Sequence, residues 1–78
     1  MTRPIYLIAV EISKDWKAVN PYAFPYLKAM HTLSSPNDSY GMDSGKEIVL
    51  RFLGNASTYK GAKAKELKAE LKQLVGLK

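Results

Sequence analysis

The groups in this chain with types and spacing suited to chemistry are one imidazole, seven carboxylates and a glycine-flanked turn ahead of a lysine. The imidazole is His31; the acids are Glu11, Asp15, Asp38, Asp43, Glu47, Glu66 and Glu70. Nucleophilic or acid–base catalysis needs the imidazole beside a nucleophile, with a third group orienting it. Ser34 and Ser35 follow His31 too closely to build that arrangement, and no third group is evident. Near a helix C-terminus, His31 is more simply a favourable partner of the helix dipole. Asp38 and Asp43 are turn formers, because a calcium loop needs ligands at alternate positions and a distal glutamate. Cysteine is absent, which excludes disulfides, thiol catalysis and cysteine-based metal sites. A lone histidine excludes a multi-histidine metal site within one chain. The expectation is therefore a protein with no catalytic residue, no cofactor and no metal.

The run Gly41-Met42-Asp43-Ser44-Gly45-Lys46-Glu47 has the outline of a phosphate-binding loop. The gap between its glycines is one residue too short, and Glu47 stands where a magnesium-binding hydroxyl belongs. If Ser44 starts a helix, the backbone donors behind it are an anion site in principle, with Glu47 as a competitor.

Two surfaces remain for recognition. Trp16, Tyr22, Phe24 and Tyr26 cluster within one short stretch, interleaved with Lys14, Lys17 and Lys28. Such a mixture suits a protein interface or a stacking surface for single-stranded nucleic acid, or closes a small core. Tyr40 and Met42 are the only large apolar residues in the irregular stretch 34–45. Trp16, Tyr22, Tyr26, Tyr40 and Met42 are thus the expected protein-interaction residues. The second surface is lysine-rich. Residues 60–78 carry six lysines against Glu66 and Glu70, a net +4 of the chain's +5. Lys60, Lys65, Lys68 and Lys72 are the alternative nucleic-acid-binding residues, although a solvated helix face explains them as well. Only Gln73 among them suits base reading, so lysines here imply phosphate contact without sequence selection.

The elements that position these groups follow from periodicity. Residues 4–12 read as a strand, with Tyr6, Ile8, Val10 and Ile12 on one face. Pro4 suits the first strand position. Asn20-Pro21 begins a loose turn, and a helix over 25–33 places Tyr26, Ala29, Met30 and Leu33 inward. Residues 46–53 fit either a strand or a helix. Ser44 and Glu47 form a capping-box pattern, and Gly54-Asn55 a stop, so a helix over 44–54 is preferred. The span 62–75 is the clearest helix, with Ala64, Leu67, Leu71, Leu74 and Val75 in one apolar arc. Lys65, Lys68 and Lys72 flank that arc on one side, and Lys63, Glu66, Glu70 and Gln73 on the other. Gly76 follows as a cap.

The chain's 78 residues make a single domain, 1–78, of α+β class. An apolar fraction of 46% with 24% charge argues against wholesale disorder. A buried lone strand needs a pairing partner, which is residues 16–19, residues 46–53 or a strand of a second copy, so a homodimer is expected. The longest apolar run, residues 5–10, falls far short of the ~20 residues of a bilayer span. It is also too short for a secretory signal, which leaves the cytoplasm as the expected location and no membrane as partner.

The segments Tyr40-Gly41-Met42-Asp43-Ser44-Gly45 and Phe52-Leu53-Gly54-Asn55-Ala56, continuing through Lys60-Gly61 to Lys68-Ala69-Glu70-Leu71, carry a resemblance. This C-terminal half resembles small proteins encoded by phages and prophages, a group without established binding residues. The resemblance implies a bacterial or phage accessory protein. With the residue reading, it predicts a non-enzymatic protein-interaction module, the partner being another protein or a second copy. Sequence-independent nucleic-acid binding is the alternative.

Overall fold

A stripe of Ile5, Ile8, Ala9, Ile12 and Trp16 recurs at helical spacing along the first segment, and all five are buried. In the computed structural model, which describes residues 3–76, that segment is a helix, α1 (Ile5–Asp15). The N-terminal strand expected over 4–12 is therefore corrected. Tyr6, Leu7 and Val10 are also apolar, so alternation and helical periods fit the same residues. The β-branched content favours a strand, but tertiary packing of one helical stripe overrides that preference. Usual helix-start signals are missing too, because Pro4 offers no side-chain cap. The opening donors are satisfied at a distance: the Ile5 and Tyr6 amides donate to the carbonyls of Ser34 and Leu33, at 3.1 and 2.9 Å. A helix meets its own backbone needs, so the argument for a pairing strand from a second copy is withdrawn.

The second helix, α2 (Phe24–Met30), carries Pro25 in its first turn, where a missing donor costs nothing. Asn20 organises the approach to it. Its side-chain oxygen accepts from the amides of Tyr22 and Ala23, at 2.9 and 2.8 Å. Its amide group donates to the Asn55 carbonyl and the Thr58 hydroxyl, at 2.8 and 3.0 Å. One side chain thus ties two connecting segments together. Ala29, Met30 and Leu33 are buried as expected, and Tyr26 is partly so.

The stretch 34–45 is more regular than its composition implies. The Asp38 carboxylate accepts from the Ser34 and Ser35 amides and closes one turn. A two-strand antiparallel hairpin follows, β1 (Ser39–Tyr40) and β2 (Asp43–Ser44), with Tyr40 opposite Asp43. Gly41 sits at φ +63° in the two-residue loop, where a Cβ would be strained.

Helix α3 (Gly45–Gly54) then starts where the capping signal places it, and Ser44 Oγ accepts from the Glu47 amide at 3.2 Å. The Gly45 and Lys46 amides donate to the carbonyls of Asp38 and Pro36, at 2.6 and 3.0 Å. Three of the helix's opening donors are thus occupied, which closes the anion site considered there. A Cβ on Gly45 would lie 2.7 Å from the Ser35 carbonyl oxygen and 3.2 Å from two others. Gly45→Ala is expected to cost about 1–3 kcal/mol, an overpacking penalty against immovable backbone. Gly54→Ala meets open space, and is expected to be neutral or to add up to about 1 kcal/mol. Urea midpoints of the two variants check this pair.

The fourth helix, α4 (Ala62–Leu74), presents Ala64, Leu67 and Leu71 to the core, with Val75 buried just past its end. Among the described residues the fold is thus four helices and one small hairpin, α+β in the broad sense. Phe52, Ile5, Ile8, Ile12, Met30 and Leu33 are among the largest fully buried side chains. No helix among the described residues is long and apolar enough to cross a membrane.

Ion pairs close the seam between α1 and α4. Arg3 binds both Glu70 oxygens, at 2.7 and 2.8 Å, and also Glu11; Lys63 reaches Glu11 at 2.9 Å. The Arg3 hydrogen bonds hold the Glu70 carboxyl below its ordinary value, against the opposing effect of burial. A depressed carboxyl contributes stability that is complete above the unfolded-state value, near 4.3, and is lost as pH falls through the folded value. Glu70→Gln is accordingly expected to lower the urea midpoint at pH 7, and its deficit to shrink as the pH drops toward about 3.

Candidate functional site

The link between α3 and α4 carries the aromatic that anchors the lysine-rich face. Tyr59 is buried, stacked on Trp16 with centroids 4.8 Å apart and planes 14° apart. Trp16 in turn meets Phe52 edge-on at 6.2 Å. The Tyr59 hydroxyl donates to Asp15 at 2.7 Å. Burial first, and that hydrogen bond second, push its pKa up. Tyr59 is therefore clamped at both ends of its ring, and the backbone around it is fixed relative to α1.

Against this anchor α4 lays its lysines. Lys68 Nζ donates to the Tyr59 carbonyl at 2.6 Å and sits 5.6 Å from the ring centroid. Its pKa is lowered, chiefly by burial and then by repulsion from Lys72 and Lys60. Lys60, Lys65 and Lys72 are exposed around it, and among the described residues none of the four lysines pairs with a carboxylate. They line an open groove of about 810 Å³ together with Gly61, Ala64 and Ala69. Gln73 lines the same groove, although its position along the helix suggested the opposite flank.

The lysine stems add methylenes to its lining; Lys60, Lys65 and Lys72 are exposed, and the Lys68 ammonium is held by the Tyr59 carbonyl. Such a groove attracts anions and rewards some apolar contact. Its lining holds lysines, Tyr59 and Gln73, and neither a carboxylate nor an imidazole.

The structure distributes the expected interaction residues unevenly. Trp16, only 7% exposed, is a core residue and is withdrawn as a surface anchor. Tyr26 packs partly against the core. Tyr22 is 76% exposed at the approach to α2, and Met42 fully exposed at the hairpin tip, with Tyr40 beside it at 44%. Phe24 is also exposed, so of the two aromatics that could close the core Trp16 does and Phe24 does not. These side chains line neither the α4 groove nor the hollow bounded by Glu11, Lys14, Asp15 and Lys63. Lys60, Lys65, Lys68 and Lys72, by contrast, converge on one feature.

One pairing was invisible in the sequence. Ser13 Oγ and His31 Nε2 are 3.0 Å apart, both on the surface. Among the described residues no carboxylate forms an ion pair with His31, and neither the α4 groove nor the smaller hollow lined by Glu11, Lys14, Asp15 and Lys63 contains the pair. The contact joins α1 to the end of α2 as an ordinary hydrogen bond. Among the described residues no cluster of three or more His, Cys, Asp or Glu is arranged to hold a metal ion.

No protein-family model matches the chain, and neither a curated protein nor a solved structure does.

Proposed function

We propose that this protein is a non-enzymatic interaction module that takes an anionic protein partner in the lysine-lined groove of α4. The observation that carries the reading is the convergence of Lys60, Lys65, Lys68 and Lys72 on one groove that Gly61, Ala64 and Ala69 also line, with none of the four paired to a carboxylate among the described residues. Several like charges held together raise each other's energy, and a partner's carboxylates relieve that cost. Lys68 illustrates the effect, since its ammonium is already disfavoured by burial and by its neighbours.

Nucleic acid is the weaker reading because the groove lacks what a stack of bases uses best. Its aromatic, Tyr59, is buried against Trp16 and is not offered for stacking. Its apolar lining adds nothing for a phosphodiester. A self-partner is disfavoured by charge, since each copy carries +5. The bacterial or phage accessory setting suggested by the resemblance belongs to this proposal.

Affinity capture from the host, with and without nuclease, tests the reading. The wild-type chain is compared with a Lys65→Ala, Lys68→Ala, Lys72→Ala variant. A protein that survives nuclease treatment and is lost from the variant is the expected result. A species bound equally by the variant, or lost on nuclease treatment, contradicts it.

A further inference from the structure

We infer that the segment seated in this groove is an acidic amphipathic α-helix of the partner, docked along α4. The inference rests on the reading above and adds the shape of the ligand. Lys65, Lys68, Ala69 and Lys72 occupy positions i, i+3, i+4 and i+7 of one helix. Four residues at that spacing bound the hole that receives a side-chain knob from a facing helix. Ala69 is exposed and small, so a partner backbone approaches closely there. Lys65 and Lys72 are exposed beside the hole, and Lys68 is half-buried with its ammonium on the Tyr59 carbonyl, so its stem adds apolar lining.

The charge spacing agrees with a helical ligand. Lys65 and Lys72 lie seven residues apart, about 10.5 Å along α4 at 1.5 Å per residue. Carboxylates at i, i+4 and i+7 of a facing helix cover the same length on one face. Charge complementarity and the hole together specify acids at the edges and a small or medium apolar knob at the centre. A second copy of this chain does not meet that description. Glu70, on the acidic flank of its own α4, is engaged by Arg3.

The test uses the full chain and two synthetic peptides of about 18 residues, long enough to hold a helix. One is an acidic amphipathic helix with a leucine–alanine seam; the other has the same composition with two central prolines. Single- and double-stranded oligonucleotides form a third arm. Affinities are measured on wild type and on Ala69→Gln, which fills the hole without changing charge. The helical peptide is expected to bind about tenfold tighter than its proline counterpart, equivalent to ~1.4 kcal/mol, and to lose that advantage on Ala69→Gln. Amide shifts on binding are expected to centre on Lys65 and Ala69. Equal binding of the two peptides at the groove overturns the helical ligand and leaves the anionic-partner reading standing. Tighter binding of an oligonucleotide than of either peptide overturns both, as does the absence of any shift along α4.

Discussion

Phe52→Ala is expected to destabilise the fold by about 3–5 kcal/mol. Phe52 is fully buried, and its ring is the edge-on neighbour of Trp16. A chain of this size has a total stability of only about 4–12 kcal/mol, at ~0.05–0.15 kcal/mol per residue. The substitution therefore removes about a quarter or more of what holds the molecule together. It also withdraws support from the Trp16–Tyr59 stack, and so from the backbone carbonyl that receives Lys68. Phe52→Leu keeps most of the volume and is expected to cost about 1.5 kcal/mol or less. Urea unfolding followed by circular dichroism measures both. A cost below about 1 kcal/mol for Phe52→Ala means that the aromatic chain from Phe52 through Trp16 to Tyr59 does not support the core as described.

The second large effect separates binding from folding. Lys65→Glu combined with Lys72→Glu lowers the formal charge from +5 to +1, since each change removes one positive charge and adds one negative. Both side chains are exposed on α4, and glutamate forms helix about as readily as lysine. Stability is expected to stay within about 0.5 kcal/mol of wild type. Affinity for an acidic helical peptide is expected to fall by about 100-fold or more, which is ~2.7 kcal/mol. The control is Lys17→Glu with Lys28→Glu, which makes the same net change on exposed residues outside the groove. It is expected to shift affinity by no more than a few-fold, through long-range screening-sensitive attraction alone. Equal losses in the two pairs show that only net charge matters and that the groove has no special standing. Measurements across about 50 to 200 mM salt distinguish local contacts from diffuse attraction, because diffuse attraction fades first.

How much of this was legible in the sequence depends on where the stabilising contacts lie. Helix α4 announces itself because its apolar arc, its strong helix formers and its glycine stop are all local. Helix α3 was readable in part: residues 46–53 fit a strand as well, and the Ser44 cap, which is present, and the Gly54-Asn55 stop favoured the helix. Helix α1 was not, because its first donors are satisfied by Leu33 and Ser34, remote in the chain. Its C-cap, Trp16, is extended and is no conventional stop residue. With both end signals missing, β-branched content pointed the wrong way. The hairpin was hidden in an apparent loop because each strand has only two residues.

The site divides along the same line. Lysines at i, i+3 and i+7 are visible on any helical wheel, so Lys65, Lys68 and Lys72 were found. Their anchor was not: Tyr59 reaches back to Asp15 and Trp16, and no local rule connects those positions. Trp16 was misplaced for the converse reason. An aromatic in a basic neighbourhood has the same local signature whether it faces a partner or Tyr59. The Ser13–His31 contact likewise exists only because α1 passes the end of α2.

The most direct test of the groove as the working surface is site-specific photocrosslinking in the native host. A crosslinking amino acid is placed in turn at position 69 on α4, at position 22 before α2 and at position 42 on the hairpin tip. All three positions are exposed, so each tolerates the replacement. A nuclease-resistant protein adduct from position 69, with none from 22 or 42, is the predicted result. Adducts from 22 or 42 with none from 69 would move recognition to the exposed aromatics and the hairpin, and the groove on α4 would be no more than a solvated helix face.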